Sequence, residues 1–224
     1  MSIALAFDIY GTLIDPHGVV TELQSHVGER AIEFSRHWRE KQLEYTWRRS
    51  LMRRYADFGV CTRQALDYAD QLLQTDLDDA AKEALMQAYR VLPAYDDVAA
   101  SLAILKNEGH RLYPFSNGTA DMVSAVLENA AIDHLFEDVI SVDSLQVFKP
   151  SPETYQHVVE IADLPPENCW LVSSNGFDVS GAVSAGIKAA WLRRFDGVVY
   201  DPWEFEPTTV IRSLRELPDK FPSN

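Results

Sequence analysis

The feature that most constrains this chain is its first apolar run, Ile3-Ala4-Leu5-Ala6-Phe7, which ends at Asp8. Five residues of low polarity predict a strand buried on both faces, as in a parallel sheet. A carboxylate that follows such a strand lies where open α/β sheets bind their ligands. Gly11 and Thr12 then predict a turn whose backbone N–H groups can face an anion. Asp8 is therefore a catalytic candidate, and the alternative is that it only caps the turn.

The composition is that of a globular protein with an acidic surface. With 46% hydrophobic residues, the 224-residue chain can bury a full core, and one domain with a large insertion is the expected organisation. The net charge of −14 argues against binding to nucleic acid or an anionic membrane, so small molecules are the expected partners. Two distant cysteines, Cys61 and Cys169, and the lack of a basic, apolar leader predict a cytoplasmic protein without a membrane span.

The order of predicted elements indicates an α/β fold. From about Thr21 to Arg90 the sequence has helical character and no convincing strand. After Pro93, strands alternate with helices, and this alternation predicts a doubly wound, Rossmann-like parallel sheet with an inserted helical cap. The predicted core comprises residues 1–14 and 92–224, and the predicted cap comprises 15–91. Further strands are predicted at 111–115, 139–141, 169–172 and 189–192.

Two local features add detail to this fold. Pro114 falls inside the strand predicted at 111–115, where its missing N–H indicates a kink or a position near an edge of the sheet. The residues from Lys220 onwards predict a frayed tail.

Within the inserted segment, four residues recur at intervals of four: Arg39, Leu43, Trp47 and Leu51. This spacing predicts an apolar helix face that carries one arginine. Arg39 then either faces solvent at the edge of the helix or points into a closed site.

Three predicted strands end in short polar clusters, which begin at Asp8, Ser116 and Ser173. One such cluster is commonplace, because any strand-to-helix loop needs turn and cap residues. Three clusters on one edge of a parallel sheet, joined by an isolated Lys149-Pro150, predict a site. Taken alone, Lys149 would be interpreted as a surface lysine before a proline.

These motifs together resemble the haloacid dehalogenase superfamily and, within it, the L-2-haloacid dehalogenases. They are Asp-x-Tyr-Gly-Thr-Leu from Asp8, Ser-Asn-Gly from Ser116, Lys-Pro at Lys149 and Ser-Ser-Asn-x-Phe-Asp from Ser173. The stretch 38–47 also resembles the cap of that family, so the likeness spans nearly the whole chain. It implies hydrolysis of short (S)-2-haloalkanoic acids, haloacetates included, to (R)-2-hydroxyalkanoic acids and halide.

Two positions distinguish this chain from the phosphatases of the same superfamily. Those enzymes carry aspartates where this chain has Tyr10 and Ser174. Mg²⁺ around a phosphate needs charged oxygen ligands, and Ser174 replaces one of them. A halide leaves without being protonated, so no acid is needed at Tyr10. The expectation is metal-free dehalogenation without a cofactor, and the alternative is a phosphatase for a small phosphorylated metabolite. A third hypothesis is a non-catalytic binding protein on this fold. It is disfavoured because the polar residues of the motifs are all present: Asp8, Arg39, Asn117, Lys149 and Asp178.

The resemblance also implies a mechanism. The Asp8 carboxylate attacks the carbon that bears the halogen and forms an aspartyl ester, which water then hydrolyses. Lys149 would keep Asp8 ionised. Asn175 and Asp178 would position and activate the water, with the identity of the base left open. Thr12, Tyr155 and Ser173 would orient Asp8, Lys149 and the water.

The same resemblance implies how substrate is held. Arg39 and Asn117 would bind the departing halide, with the ring of Phe177 beside it. The family frequently has tryptophan in place of Phe177, and the preferred halogen, fluoride or a larger one, stays open. A homodimer is also implied.

For the rest of the substrate, the implied carboxylate site consists of Ser116 and the backbone N–H groups of Ile9 and Tyr10. An apolar pocket would close over the substrate, although ordinary packing of the cap is an equal alternative for each member. Its members would be Leu43, Trp47 and Phe58.

Overall fold

The computed structural model of the protein describes residues 2–221, in which six parallel strands form one sheet. The strands lie in the order β3-β2-β1-β4-β5-β6. The predicted α/β fold is confirmed, and β6 is an additional strand that the sequence did not indicate. The strands are β1 (Ala4–Phe7), β2 (Arg111–Ser116), β3 (Ile140–Ser141), β4 (Cys169–Ser173), β5 (Lys188–Leu192) and β6 (Thr209–Ile211).

Strand β1 is buried on both faces, as its apolar sequence predicted. Leu5 and Phe7 belong to one hydrophobic cluster, while Ala4 and Ala6 belong to a second. Because successive side chains of a strand point to opposite faces, the two clusters lie on opposite faces of the sheet. Helices cover both. The first face is covered by α5 (Val98–Asn107) and α6 (Ala120–Asn129), and the second by α7 (Pro152–Ala162) and α8 (Gly176–Ser184).

Four helices lie between β1 and α5, in the segment predicted to be the cap. The two ends of this segment lie side by side, because Asp15 N donates to Pro93 O at 2.9 Å and Tyr95 N donates to Leu13 O at 3.0 Å. The boundary between core and cap stays a prediction. Among the described residues, no helix is both long and apolar enough to cross a membrane. The four helices are α1 (His17–Val27), α2 (Ala31–Met52), α3 (Phe58–Leu73) and α4 (Asp79–Ala88).

Helix α2 buries a different face from the one that the spacing of four predicted. Leu51 is 86% exposed and Trp47 is also exposed, so the apolar face with this spacing is not the buried side of the helix. Its first two members, Arg39 and Leu43, instead border the site described below. The buried residues of the helix are Ala31, Phe34, Trp38, Gln42 and Thr46.

Pro114 lies in β2, one strand in from the edge of the sheet. Arg111 N donates to Ile3 O, so in the alternating pattern of the strand the missing N–H of Pro114 falls on the opposite, β3 side. Strand β3 begins only at Ile140, opposite Phe115. The proline therefore removes no hydrogen bond that β3 could accept.

The expectation of a frayed tail is wrong at Phe221. Its ring packs against Trp170 at 5.1 Å and against His110 at 5.3 Å, and the side chain is buried. The rest of the predicted tail, residues 222–224, lies outside the described residues.

Candidate active site

A small cavity of about 20 Å³ lies where the loops after β1 and β2 meet α2. Every residue that lines it was predicted from the sequence as part of the site. The polar strand ends and the inserted helices therefore converge as expected. The lining residues are Asp8, Tyr10, Arg39, Leu43, Phe58, Ser116, Asn117, Lys149 and Phe177.

The Asp8 carboxylate is held by donors from three separate segments. Its Oδ2 accepts from Thr12 Oγ1 at 2.8 Å and from Asn175 Nδ2 at 2.7 Å. Its Oδ1 accepts from Lys149 Nζ at 3.1 Å. Asp8 N also donates to Val172 O at 3.0 Å, which anchors the residue beside β4. These bonds fix the plane of the carboxylate while leaving Asp8 on the cavity wall.

Lys149 is buried and joins two carboxylates. Besides Asp8, its Nζ donates to Asp178 Oδ2 at 2.9 Å and to Phe115 O at 2.9 Å, so all three ammonium protons have acceptors. Asp178 is also buried, and its Oδ1 accepts from Tyr155 OH at 2.8 Å. The sequence interpretation of Lys149 as a surface residue is excluded.

The charged groups of this cluster shift one another's pKa values. Burial alone would lower the pKa of Lys149, but the negative charges of Asp178 and Asp8 outweigh it and raise the pKa above the ordinary value. Burial and repulsion by Asp8 raise the pKa of Asp178, against the opposing effect of Lys149. Burial and the Asp178 carboxylate raise the pKa of Tyr155 well above its usual range. Lys149 therefore stays protonated throughout the physiological range.

Ser173 contacts a different group from those it was predicted to orient. Its Oγ accepts from Asn175 N at 3.1 Å, and so it positions the residue that donates to Asp8. Tyr155 acts on Asp178, and Thr12 is the residue of the three that bonds Asp8 directly. Thr12 Oγ1 also accepts from Ser174 N at 2.9 Å.

The opposite side of the cavity presents groups that suit an anion. Asn117 Oδ1 accepts from Lys149 N at 3.0 Å, so the Nδ2 end of that amide is the end available to the cavity. The backbone N–H groups of Ile9 and Tyr10 make no hydrogen bond within residues 2–221. Ser116 Oγ accepts from Gly118 N at 3.0 Å, which leaves its own proton free to be donated.

Arg39 reaches the cavity from α2, and its direction is set by a residue that the sequence did not reveal. Arg39 Nη1 donates to Gln42 Oε1 at 2.7 Å, and Gln42 Nε2 donates to Thr62 Oγ1 at 2.6 Å. Gln42 is fully buried. A glutamine three residues after the arginine on a helix was the available signal, since such pairs lie side by side.

A second missed residue, Arg194, supports the nucleophile loop from the far end of the chain. Its Nη2 and Nε donate to Thr12 O at 2.5 and 3.2 Å, and its Nη1 donates to Asp97 Oδ1 at 2.7 Å. Arg194 thus anchors the backbone of the residue that bonds Asp8. No local pattern signals this contact, because 182 positions separate the two residues.

Some of the apolar side chains at this site line the cavity, and one lies outside it. Leu43 and Phe58 line it, but Trp47 does not; its ring contacts Phe177 edge-on at 5.5 Å from outside. The prediction that Trp47 closes the pocket over the substrate is therefore wrong, and Phe177 separates it from the cavity. The other apolar residues predicted at the site, Leu43, Phe58 and Phe177, line the same cavity.

The donor set does not fit the Mg²⁺ ion of the related phosphatases. Ser174 stands at the position of a metal-binding aspartate, and its hydroxyl donates to Gly11 O at 2.8 Å. Lys149 already fills the space between Asp8 and Asp178 with a positive charge. Within residues 2–221, no group of three or more His, Cys, Asp or Glu side chains could hold a metal. Mg²⁺ requires charged oxygen ligands that this site lacks.

Comparisons with known proteins agree on one family. A family model for haloacid dehalogenase-like hydrolases matches residues 4–186. The chain is 38% identical over 213 residues to an (S)-2-haloacid dehalogenase of Pseudomonas putida, covering 95% of this chain and 93% of that relative. It is 37% identical to haloacetate dehalogenase H-2 of Moraxella sp. (strain B), covering 88% of each. The solved structure of L-2-haloacid dehalogenase from Xanthobacter autotrophicus with chloropropionic acid covalently bound matches at a TM-score of 0.92 and 35% identity, over 98% of both chains.

Proposed function

Because this chain belongs to the haloacid dehalogenase-like hydrolases, we propose that it is an (S)-2-haloacid dehalogenase. Its substrates are short 2-haloalkanoic acids, and its products are (R)-2-hydroxyalkanoic acids and halide. The observation that carries this proposal is the Asp8 carboxylate, which is hydrogen-bonded by Lys149, Thr12 and Asn175 and lies on the wall of a cavity too small for a large metabolite.

In the first step, a carboxylate oxygen of Asp8 attacks the carbon that bears the halogen. The new C–O bond forms as the C–X bond breaks, halide departs with the bonding electrons, and the carbon inverts. The protonated Lys149, 3.1 Å from Oδ1, favours the ionised form of the nucleophile. The bonds from Thr12 and Asn175 hold the carboxylate for in-line attack.

Anion-binding groups would orient the substrate for this attack. The substrate carboxylate accepts hydrogen bonds from Ser116 and from the backbone N–H groups of Ile9 and Tyr10. The departing halide binds between the Arg39 guanidinium and the Nδ2 group of Asn117, with the edge of Phe177 beside it. These donors stabilise the charge that develops on the leaving group in the transition state.

In the second step, water hydrolyses the aspartyl ester and regenerates Asp8. Asn175 lies 2.7 Å from Asp8 Oδ2, so it is placed to bind the water or the ester oxygen. Asp178, the second carboxylate bonded to Lys149, is the proposed acceptor of the proton that the water loses, and burial together with the charge of Asp8 raises its pKa. Ser173 and Tyr155 hold Asn175 and Asp178 in place.

A phosphatase of the same fold is the alternative, and it is less well supported. It would need Mg²⁺ and a second acidic residue, whereas the half-buried Tyr10 stands at the position of that residue and desolvation raises the pKa of its phenol above the ordinary value. The relatives compared above are named as dehalogenases.

Three broader features also belong to this proposal. We infer a homodimer, because Leu51 and Met52 at the end of α2 are 86% and 61% exposed beside a groove of about 1000 Å³. The unpaired, buried thiols of Cys61 and Cys169 support a cytoplasmic location. The four-helix segment at 15–91 is proposed to act as the cap.

The proposal is tested by measuring halide release from each enantiomer of 2-chloropropionate, from chloroacetate and from fluoroacetate, all in EDTA. The wild type should release halide from the S enantiomer and form the R hydroxyacid, while Asp8→Asn should release none. Phosphate-ester cleavage that appears only with Mg²⁺, without halide release, would replace this proposal with the phosphatase. Light scattering of wild type and Leu51→Glu tests the dimer.

A further inference from the structure

A second cavity adjoins the reaction cavity, and the two share a wall. The reaction cavity has a volume of about 20 Å³ and the second about 270 Å³. Tyr10 and Phe58 line both. The second cavity extends beneath α3 and α4, where Met86, Tyr89 and Met122 contribute apolar surface to it.

The reaction cavity offers little room for a substituent on the reacting carbon. Its volume of about 20 Å³ is less than a tenth of that of the second cavity. In the proposed reaction, the substrate carboxylate faces Ser116 and the halide faces Arg39. Because Phe177 lies beside the halide in this arrangement, the remaining substituent on the carbon points toward the other apolar side chains of the lining, Leu43 and Phe58.

The Phe58 wall is held firmly in place. Phe58 is buried at the first position of α3, which Asp57 caps by accepting from Val60 N at 3.0 Å. The carbonyl of Phe58 accepts from Thr62 Oγ1 at 2.7 Å, and its ring packs against Phe148 at 6.4 Å. The backbone bonds fix where the Phe58 side chain starts, and the contact with Phe148 supports its ring.

Tyr10, the other shared residue, is equally constrained. Its ring packs edge-on against Tyr89 at 5.6 Å, and Tyr89 packs against the buried Trp38 at 5.1 Å. Two aromatic residues, Tyr10 and Phe58, therefore form the wall that the two cavities share.

We propose that Phe58 sets the upper limit on the length of the acid by closing the second cavity to the substrate. The chain processes haloacetates and 2-halopropionates and rejects 2-haloacids with longer chains, whose tails would need the space behind Phe58. This inference rests on the proposed function and names its substrate class. It also predicts that the second cavity becomes a chain-binding site once the ring is removed.

The test is a series of kcat/KM values for chloroacetate and for (S)-2-chloropropionate, (S)-2-chlorobutanoate and (S)-2-chlorohexanoate. Wild type should lose activity by about tenfold or more with each lengthening beyond propionate. Phe58→Ala should remove this loss, so that chlorohexanoate rises at least about tenfold relative to chloroacetate. The readout is a ratio within each protein, which corrects for a general loss of activity.

Two matched variants distinguish the effect of opening the wall at Phe58 from the effect of enlarging one cavity. Leu43→Ala enlarges the reaction cavity without touching the second, so its gain should stop at chlorobutanoate. Met122→Ala enlarges the second cavity behind an intact wall, so its chain-length profile should equal that of wild type. If Phe58→Ala does not fold, as judged by its thermal denaturation, Phe58→Leu tests the same wall with a smaller opening.

The outcomes distinguish this inference from the function on which it rests. Wild type that releases no halide from chloroacetate would overturn the proposed function. Wild type that is active on chloroacetate and equally active on chlorohexanoate would overturn the limit set by Phe58. A folded Phe58 variant that keeps the wild-type profile, or Met122→Ala with the profile of Phe58→Ala, would also overturn it.

Discussion

The two walls of the reaction cavity are built on different principles. The core wall (Asp8, Ser116, Asn117 and Lys149) is polar, and its buried charges are bonded in a network that reaches from β1 to α8. The helical wall (Arg39, Leu43 and Phe58) comes from α2 and α3, and it is apolar except for one guanidinium.

This difference indicates that the two walls have different roles. The core wall fixes the charges and the geometry of the reaction, because a buried polar group is stable only when its partners are in place. We propose that the helical wall selects the substrate by its shape, since apolar side chains discriminate mainly by size. The single polar group of the helical wall, Arg39, is held by one hydrogen bond to Gln42.

The largest effect is expected at the centre of the core wall. Lys149→Met removes the cation between Asp8 and Asp178, so halide release should fall at least about a thousandfold. The unfolding free energy in urea should fall by about 3 kcal/mol, because two carboxylates are left without their common counter-ion.

Removing one of those carboxylates as well provides the control. Lys149→Met with Asp178→Asn should regain part of the lost stability but none of the activity. A double variant that is less stable than the single variant would contradict the electrostatic account of this network.

A smaller effect is expected for the polar group of the helical wall. Gln42→Glu places a negative charge 2.7 Å from the Arg39 guanidinium, which weakens its attraction for the departing halide. We expect kcat to fall by about tenfold. Thr62→Val, which removes the support of Gln42 without adding a charge, should have a milder effect. Equal effects of the two variants would mean that the charge on Arg39 is not used.

A still smaller effect is expected just outside the helical wall. Trp47 touches the ring of Phe177 but does not line the cavity. Trp47→Ala should therefore change kcat/KM for chloroacetate by no more than about twofold, as for other exposed positions. Leu43→Ala, measured in parallel, should change it more. The reverse order would return Trp47 to the substrate pocket.

No effect is expected from moderately alkaline pH. Tyr10 and Tyr155 have pKa values raised above the ordinary 10.0 by burial, and the carboxylates raise that of Lys149 above 10.5. A raised pKa keeps the proton to higher pH, so none of these groups is deprotonated below about pH 10. The pH profile of kcat/KM should be flat from about pH 8 to pH 10. An alkaline decline with a midpoint near pH 9 would contradict the raised pKa values.

The parts of the fold that the sequence predicts best are those set by local patterns. The apolar run before Asp8, and the alternation of strands and helices after Pro93, predict the parallel sheet because each element carries its own periodicity. Strand β6 was missed because three residues are too short to show a pattern. The buried face of α2 was not predicted, because the apolar spacing from Arg39 to Leu51 marks a different side of the helix.

The site follows the same rule. Every residue that lines the cavity was found, because the motifs lie at strand ends that must converge in a parallel sheet. Which atom bonds which could not be predicted. The bond from Arg194 to Thr12 O depends on the packing of segments 182 positions apart and leaves no local pattern, whereas the bond from Arg39 to Gln42 lies within α2 and has its signal in the spacing of three.

The measurement that tests the central claim most directly is a single turnover of (S)-2-chloropropionate with excess enzyme in water labelled with oxygen-18. If Asp8 is the nucleophile, the first hydroxyacid formed carries unlabelled oxygen from the protein, and mass spectrometry finds the heavy oxygen in the peptide that contains Asp8. Heavy oxygen in the product of that first turnover, with Asp8 unlabelled, would mean that water attacks the substrate directly. That result would contradict the aspartyl ester.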